Sequence, residues 1–422
     1  MAARPRILLI SRNPPTGRGT GARIRAGMFL QALLTRCEVH LLVIAPELSD
    51  ADRGTPLLQQ CASLSSDPMD WRSRRRAARF DGNSAAPAYL WGALSSDPAN
   101  ALSLTRREGE RLLDQLPCRE FDAVFAIRLS MARVAQQLFD WQMIGARCRV
   151  FDLDDIESRL VARERAMTRA NSGRAVDIAR RVEQAKLARV ERRLIRAWDQ
   201  VYLCSEEDRS ALARQLRVGN VFAVPNTCAP IAVAPPDHAV PPEILFVGSM
   251  RYAPNADAAL FFCTRILPRL CEHLGETPVT RIVGAGPDER LRALNGTRGI
   301  EIVGAVERIE DCYQSAALVI APIRFGGGTR IKIIEALAAG RPVVATALGA
   351  EGLGLRDQQD LLLADDAEAF AAACARVLRD PSLWHSLVAN GRASYAARFA
   401  VEVVTEAFMK VFLDCVGGAG PE

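Results

Sequence analysis

Twice along the chain, short apolar segments alternate with segments of helical periodicity. The first series has apolar runs at 7–11 and 39–45, on either side of a segment with apolar residues at Ile24, Met28 and Leu33. The second series has apolar runs at 244–248, 281–284, 300–303, 318–322 and 342–346. Strands that are apolar throughout are buried on both faces, which is typical of parallel sheets covered by helices. The sequence therefore predicts an α/β chain with two doubly wound parallel sheets.

A proline-rich stretch at 225–242 separates the two series. It contains six prolines, and stretches of this kind commonly link domains. We predict an N-terminal Rossmann-like domain at 1–228 and a C-terminal Rossmann-like domain at 229–398. Ligands of such sheets bind beyond the carboxyl ends of the strands. The two domains are therefore expected to face a common cleft.

Composition excludes several classes of protein. With 49% hydrophobic residues and a net charge of +5 over 422 residues, the chain can build cores and is not disordered throughout. It lacks an apolar run of the ~18 residues that a membrane-spanning helix needs, and its first residues do not form a secretory signal. The eleven cysteines show no C-x-x-C pair, and the four histidines show no ligand spacing. We predict a cytoplasmic protein with reduced thiols and no metal.

The sequence after the predicted strand at 318–322 points to an anion site. Glycines lead into a predicted helix at 329–339, and the start of a helix leaves N–H groups free to bind a phosphate. Arg330 and Lys332 add two charges in the first turn, where cations oppose the helix dipole and a bound anion compensates them. The alternative is a glycine-rich turn with solvent-facing bases. The residues of the turn are Gly326, Gly327, Gly328 and Thr329.

Glu335 follows on the same predicted helix, among apolar residues. A carboxylate in apolar surroundings needs a partner. One candidate partner is Lys332, three residues earlier. Another is the pair of vicinal hydroxyls of a ribose, and the sequence leaves both open.

Several motifs of the C-terminal half occur together in one enzyme family. They lie at 244–255, 282–287, 304–306, 322–340 and 349–353. In these motifs the chain resembles the retaining GT-B glycosyltransferases of the group 1 (family 4) class, whose bacterial members commonly act in polysaccharide assembly. The resemblance implies a GT-B fold, in which a last helix at 400–415 packs back on the N-terminal domain. It also implies a UDP- or GDP-sugar donor bound mainly by the C-terminal domain, a glycan or lipid-linked acceptor bound by the N-terminal domain, and no cofactor.

The resemblance also assigns roles to single residues. It makes Arg330, Lys332 and Glu335 the catalytic candidates, and we infer that Arg251, Arg330 and Lys332 together neutralise the departing diphosphate. The family usually has a second glutamate, with seven residues between the two, and that position is Gly327 here. The arginine that usually follows the first glycine is replaced by Ser249, and we infer that Arg251 takes its place. The donor-binding residues are then Gly248, Arg251, Gly284, Val306, Gly326, Gly327, Gly328 and Thr329.

A glycine-rich loop in the N-terminal half is a second candidate. Gly17, Gly19 and Gly21 let the backbone approach the diphosphate or the acceptor, with Arg25 behind them. The alternative is an ordinary surface loop.

Two acids in the N-terminal half are acceptor-side candidates. Asp154 and Asp155 follow a predicted strand, so we expect their carboxylates to project towards the cleft. They are predicted to bind the acceptor or to take its proton, and the alternative is a helix cap or another structural carboxylate. A D-x-D manganese site is typical of the single-domain GT-A fold and does not account for the second domain.

The segment 159–199 carries 12 basic and five acidic residues, a net charge of +7. Its apolar residues have helical spacing, so it is predicted to form one or two basic helices. Such a surface suits peripheral association with an anionic membrane, at its inner face, or a solvated helix face. Nucleic acid is disfavoured because no aromatic residues are interspersed with the arginines.

The sequence thus predicts a hexosyl- or related glycosyltransferase that moves a sugar from a nucleotide sugar to a glycan or lipid-linked acceptor with retention of anomeric configuration. One alternative is a non-catalytic protein that binds nucleotide sugars, and another is an epimerase of the same fold. A dinucleotide-dependent oxidoreductase is disfavoured, because Gly17 lies too far beyond the first strand for the tight turn of that motif.

Overall fold

The computed structural model describes residues 4–44, 48–67, 98, 103–168, 173–234, 242–328 and 330–418. The chain divides into two compact units, one of Met1–Val224 with Thr405–Glu422 and one of Pro225–Val404. The first crossing between units therefore lies at the start of the proline-rich stretch. The second crossing lies at residue 404, six residues later than the boundary expected at 398.

The first unit is built on one parallel sheet. Its strands are β1 (Arg6–Ser11), β2 (Glu38–Ile44), β3 (Ser63–Asp67), β4 (Glu120–Ile127), β5 (Gly145–Asp154), β6 (Gln200–Leu203) and β7 (Val221–Ala223). They lie in the order β3-β2-β1-β4-β5-β6-β7. The residues from Ile7 to Ile10 are fully buried, as expected for a central strand covered on both faces.

Helices cover this sheet. They are α1 (Gly21–Arg36), α2 (Asp50–Arg53), α3 (Pro56–Gln59), α4 (Arg106–Leu113), α5 (Leu129–Asp140), α6 (Glu157–Thr168), α7 (Arg174–Ala197) and α8 (Glu206–Leu216). Side chains at the N-caps determine where several of them begin. Thr105 and Glu108 form a capping box at α4, and the Ser205 hydroxyl accepts the backbone N–H of Asp208 at α8. The predicted basic segment forms α6 and α7.

The second unit is also built on one parallel sheet. Its strands are β8 (Glu243–Val247), β9 (Val279–Val283), β10 (Ile300–Gly304), β11 (Ala316–Ala321), β12 (Val343–Ala345) and β13 (Leu362–Leu363). They lie in the order β10-β9-β8-β11-β12-β13. The two parallel, helix-covered sheets confirm the predicted fold class.

The helices of the second unit include one interruption and one start that is later than expected. They are α9 (Ala253–Phe261), a π-helical turn (Phe262–Ile266), α10 (Leu267–Leu274), α11 (Glu289–Arg292), α12 (Ile309–Ser315), α13 (Ile331–Ala338), α14 (Ala367–Arg379), α15 (Pro381–Arg398) and α16 (Val401–Val416). A π-helical turn interrupts the helical run from α9 to α10 just before Pro268, which lacks the N–H that a continuous helix needs. The helix expected from 329 begins at Ile331, with Arg330 as its N-cap.

The last helix, α16, contributes to the core of the first unit. The ring of Phe408 packs edge-on against Phe29, with 4.9 Å between ring centroids, and also contacts Phe125 and Tyr202. Phe408 is almost fully buried. Aromatic groups of this size contribute strongly to a core, so α16 is an integral part of this unit although it ends the chain.

A disulfide joins Cys415 of α16 to Cys148 of β5, with Cα atoms 6.0 Å apart. The prediction that all eleven cysteines stay reduced is therefore wrong for this pair. The two cysteines are 267 residues apart in sequence, and only the packing of α16 on the sheet brings them together. Among the described residues, the structure contains no helix with the length and apolar character needed to cross a bilayer.

Candidate anion-binding site

The candidate site lies where the order of the second sheet reverses. From β8 the chain continues through β9 to β10 on one side, and from β11 it continues through β12 to β13 on the other. Because β8 and β11 are neighbours, the loops at their carboxyl ends lead away in opposite directions and leave a crevice. Ligands of doubly wound sheets bind at such a point.

Glycines let the backbone pack tightly at the start of this site. A Cβ atom on Gly284, where φ is +148°, would collide with the carbonyl oxygen of Gly248. A Cβ atom on Gly248 would lie 2.7 Å from the side-chain nitrogen of Asn255 and 2.9 Å from Nζ of Lys332. Neither position accepts a side chain, so the loops after β8 and β9 touch through their backbones and the Lys332 amine lies directly beside Gly248.

Lys332 is a buried cation with one hydrogen-bond acceptor. Its Nζ donates to Asn255 Oδ1 at 2.8 Å and lies 4.1 Å from the centroid of the Phe246 ring. Asn255 in turn donates to the carbonyl of Ser249 at 3.0 Å. Burial, together with the nearby charge of Arg330, lowers the pKa of Lys332 to about 7. The amine is therefore close to half-protonated at neutral pH, and an anion beside it would favour the charged form.

Arg330 is a second buried cation, and most of its hydrogen-bonding capacity is unused. It is 7% exposed, and its Nη1 donates to the carbonyl of Gly327 at 2.5 Å. Its Nε and Nη2 are buried without a hydrogen-bond partner. Among the described residues, no carboxylate lies within ion-pair distance of Arg330 or Lys332. Buried charges are normally paired, so this pair of cations is suited to bind an anion.

Glu335 is held by a residue that the sequence did not indicate. Its Oε2 accepts the hydroxyl of the fully buried Tyr313 at 2.9 Å. Burial raises the pKa of the Glu335 carboxyl. Lys332 and Glu335 thus have different hydrogen-bond partners, although they are three residues apart on α13.

The structure also describes most of the remaining predicted donor residues. Gly326 and Gly328 have φ angles of +98° and +80°, which glycine adopts without strain. Arg251 is exposed, and its side chain lies against Gly286. Val306 is 37% exposed and lines, with Arg281 and other residues, a cavity of about 330 Å³. Thr329 lies outside the described residues. The donor-binding roles of all these residues stay predictions.

The N-terminal glycine loop packs on its own helix. Gly17 and Gly19 have φ angles of +72° and +93°, and Gly21 is the first residue of α1. A Cβ atom on Gly27 of α1 would collide with the backbone of Gly17. The contact between the loop and α1 is therefore made by one glycine from each. The ligand role of the loop stays a prediction.

Arg25 is engaged inside the first unit. It is 2% exposed, and its Nε and Nη2 donate to the carboxylate of Asp152 at 2.8 and 2.6 Å. Its Nη1 donates to the carbonyl of Val224 at 2.9 Å. Any effect of Arg25 on a ligand therefore has to act through the residues that it holds.

The two predicted acceptor-side acids differ in their surroundings. Asp154 has a φ of +62° and pairs with Arg128, whose φ is +79°, at 2.5 Å. It also lies 3.3 Å from Nε of Arg25. Burial opposes its ionisation, but Arg128 and Arg25 outweigh burial and hold the pKa of Asp154 below its usual range. Asp155 is more exposed and accepts a weak hydrogen bond from Cys204 Sγ at 3.5 Å. Arg128 and Arg25 thus neutralise part of the negative charge of these acids.

Sequence reasoning missed three residues of these sites. Asn255 lies within the motif at 244–255, and its spacing from Lys332 gives no sign of their contact. Tyr313 and Arg128 belong to elements that only the folded chain brings to Glu335 and Asp154. These three contacts arise from tertiary packing, since the two residues of each pair are more than 20 positions apart in sequence.

Comparison with protein families finds a match for part of the chain. Residues 241–380 match the family model described as "Glycosyl transferases group 1". A phosphatidyl-myo-inositol mannosyltransferase of Mycobacterium leprae is 35% identical over 138 residues, which are 31% of this chain and 36% of that protein. The chain therefore spans little more than a third of that relative's length.

Solved structures match nearly the whole chain at low identity. The sucrose-phosphate synthase of Thermosynechococcus elongatus superimposes with a TM-score of 0.66 at 17% identity and covers 98% of this chain and 100% of that one. HepE of Anabaena in complex with UDP superimposes with a TM-score of 0.61 at 14% identity. The match covers 97% of this chain and 100% of that one. These matches show that the two parallel-sheet units have the GT-B fold of glycosyltransferase structures.

Proposed function

We propose that this protein is a glycosyltransferase that moves a sugar from a nucleotide-sugar donor to a glycan or lipid-linked acceptor. The observation that carries the proposal is the pair of buried cations, Arg330 and Lys332, which have no carboxylate partner among the described residues. They lie where the order of a doubly wound sheet reverses, in the segment that matches the group 1 family. A nucleoside diphosphate supplies the charge that this site lacks.

The chemistry of glycosyl transfer requires cations at this point. The bond between the anomeric carbon and the β-phosphate oxygen breaks, and its electron pair leaves with the phosphate. The oxygen of an acceptor hydroxyl bonds to the anomeric carbon, and the hydroxyl proton passes to a base or to the leaving phosphate. The diphosphate gains negative charge along this path, so fixed cations beside it lower the barrier. No cofactor is needed for these steps.

The donor is proposed to be a UDP- or GDP-hexose, transferred with retention of configuration. HepE of Anabaena binds UDP in its solved structure, and the M. leprae relative is named as a phosphatidyl-myo-inositol mannosyltransferase. Glu335 is proposed to bind the ribose hydroxyls through the carboxylate that Tyr313 orients. The second candidate function, a non-catalytic nucleotide-sugar binder, is favoured by one observation, the glycine at 327 where the resembled family has a glutamate.

Asp155 is proposed as the acceptor-side acid, with Asp154 as its support. Asp154 is ion-paired with arginines on both sides, whereas the Asp155 side chain keeps 13% of its surface exposed. A base must be able to reach the proton that it takes. The positive φ of Asp154 and Arg128 is a costly backbone conformation that is often retained at functional sites.

We also propose that the protein associates with the inner, anionic face of a membrane through α7. One face of this helix carries a row of exposed arginines, called here the basic stripe: Arg174, Arg181, Arg189, Arg192 and Arg196. Ile178 lies on the same face and is 61% exposed. The acids Glu183 and Glu191 are buried on the opposite face. Cations around an exposed apolar side chain are typical of surfaces that bind anionic lipids.

Turnover of purified protein tests the proposed activity. The protein is incubated with UDP- and GDP-hexoses and with glycan and polyprenyl-phosphate acceptors, and release of UDP or GDP is measured. We expect acceptor-dependent release, and nuclear magnetic resonance of the product should show the anomeric configuration of the donor. Binding of UDP or GDP without release for any acceptor would favour the non-catalytic binder. Failure to bind either nucleotide would contradict both functions.

A further inference from the structure

Two neighbouring side chains after β8 reach over two different loops of the site. β8 lies between β9 and β11 in the sheet. Arg251 covers Gly286, in the loop after β9, where a Cβ atom would lie 2.5 Å from Arg251 Cγ. Tyr252 covers Gly326, in the loop after β11, where a Cβ atom would lie 2.9 Å from the Tyr252 hydroxyl oxygen. Each of the two loops thus has a glycine at the position that the Arg251 or Tyr252 side chain contacts.

Tyr252 is exposed in a way that packing does not explain. It is 43% exposed, one of the few large hydrophobic side chains of the described residues with so much surface in solvent. Its hydroxyl makes no hydrogen bond to any described residue, and it lies at the N-cap of α9 without capping that helix. A tyrosine combines an apolar ring with a hydroxyl that can donate a hydrogen bond to a ligand.

The Tyr252 hydroxyl lies beside the loop that contacts Arg330. Gly326 precedes Gly327, and the carbonyl of Gly327 holds the guanidinium of Arg330. An anion bound by Arg330 and Lys332 would therefore lie within the same group of loops as the Tyr252 hydroxyl. A hydroxyl gains most by donating to a charged acceptor.

We propose that Tyr252 contacts the donor, and that its hydroxyl donates a hydrogen bond to a phosphate oxygen of the nucleoside diphosphate held by Arg330 and Lys332. This rests on the proposed function. The glycine at 326 then fits for two reasons, its positive φ and the space that Pro254 and the Tyr252 hydroxyl occupy.

The test is calorimetric titration of the parent and of Tyr252→Phe with UDP, GDP and uridine. The variant removes one unpaired hydroxyl, so its thermal unfolding should match that of the parent. We expect its affinity for the diphosphate that the parent binds to fall about tenfold, the effect of one hydrogen bond to a charged acceptor. Uridine lacks the phosphates, so its affinity should not change.

The outcomes separate this inference from the proposed function. If the parent binds a nucleoside diphosphate and Tyr252→Phe binds it equally well, the role of Tyr252 is wrong and the anion site stands. An equal loss for uridine and for UDP would also overturn the phosphate contact, since the ring would then act on the nucleoside. If the parent binds neither UDP nor GDP, the proposed function fails and the role of Tyr252 fails with it.

Discussion

Lys332 and Glu335 illustrate how tertiary contacts decide what a residue does. Their spacing of three residues on α13 allows an ion pair, but Lys332 donates to Asn255 and Glu335 accepts from Tyr313. Each charged group is thus held by a neutral partner. A neutral partner fixes the position of a charge without cancelling it, which leaves the Lys332 charge available to a ligand.

The low pKa of Lys332 makes diphosphate binding depend on pH. Because this pKa is about 7 in the free protein, the amine is mostly neutral at higher pH, and binding of an anion then requires uptake of a proton. We expect the affinity for UDP or GDP to fall by up to about tenfold per pH unit above pH 7. Calorimetry from pH 6 to pH 9 measures this slope. Lys332→Gln should bind weakly with no such slope, and a pH-independent parent would contradict the assignment.

Glu335→Gln tests the ribose role of the acid. If the carboxylate binds ribose hydroxyls, the substitution should weaken binding of UDP, GDP and their sugars alike, by about 1.5–3 kcal/mol for a hydrogen bond with a charged group. Tyr313→Phe is the matched variant, because it removes the hydrogen bond that orients the carboxylate. Affinities equal to those of the parent in both variants would leave Glu335 with a structural role alone.

Among the helices, α7 has one buried apolar face and one exposed basic face. Its buried side holds Leu187 and Leu194 against the core of the first unit, and the basic stripe lies on the other side. Arg174, Arg189 and Arg192 make no ion pair with any described residue. The apolar spacing in sequence therefore predicted the helix correctly, and the structure adds which arginines share one exposed face.

The basic stripe should draw the protein to anionic vesicles. Replacing Arg189 and Arg192 by glutamine should weaken co-sedimentation with phosphatidylglycerol vesicles by about 2 kcal/mol, or roughly thirtyfold, since each base near the surface contributes about 1 kcal/mol. Arg376 and Arg379 of α14 provide a control double variant with the same loss of charge. If the double variant at Arg189 and Arg192 binds the vesicles as well as the parent does, or if high salt does not weaken binding, the basic stripe is a solvated helix face.

The disulfide on α16 can be tested by counting thiols. With Cys148 and Cys415 bonded, the denatured, unreduced protein should show nine reactive thiols of its eleven cysteines. Cys415→Ser should lower the free energy of unfolding by roughly 2–4 kcal/mol under oxidising conditions. In reducing buffer the variant and the parent should unfold alike. Eleven reactive thiols before reduction would show that the pair does not form a bond.

Across the whole molecule, the repeated strand and helix pattern was enough to predict two parallel sheets, because strands buried on both faces leave long apolar runs. The glycine turn and the positions of Arg330 and Lys332 at the start of α13 were also predictable, since a glycine turn before a helix is a local feature. The binding role of these residues stays a prediction. The disulfide, the contact of Lys332 with Asn255 and the ion pairs of Arg25 were not. These join residues from 77 to 267 positions apart, and sequence periodicity holds no information on such pairs.

Arg330 and Lys332 are proposed to hold a nucleoside diphosphate in the second unit. Calorimetric titration of UDP and GDP into the parent, Arg330→Gln and Arg324→Gln tests it most directly. Arg324 lies on the same loop but is ion-paired with Asp257 at 2.6 Å, so its loss changes the net charge equally without touching the proposed site. We expect Arg330→Gln to weaken binding by about 2–3 kcal/mol, and Arg324→Gln to bind nearly as the parent does. Equal affinities for the parent and Arg330→Gln, or equal losses in both variants, would contradict the account.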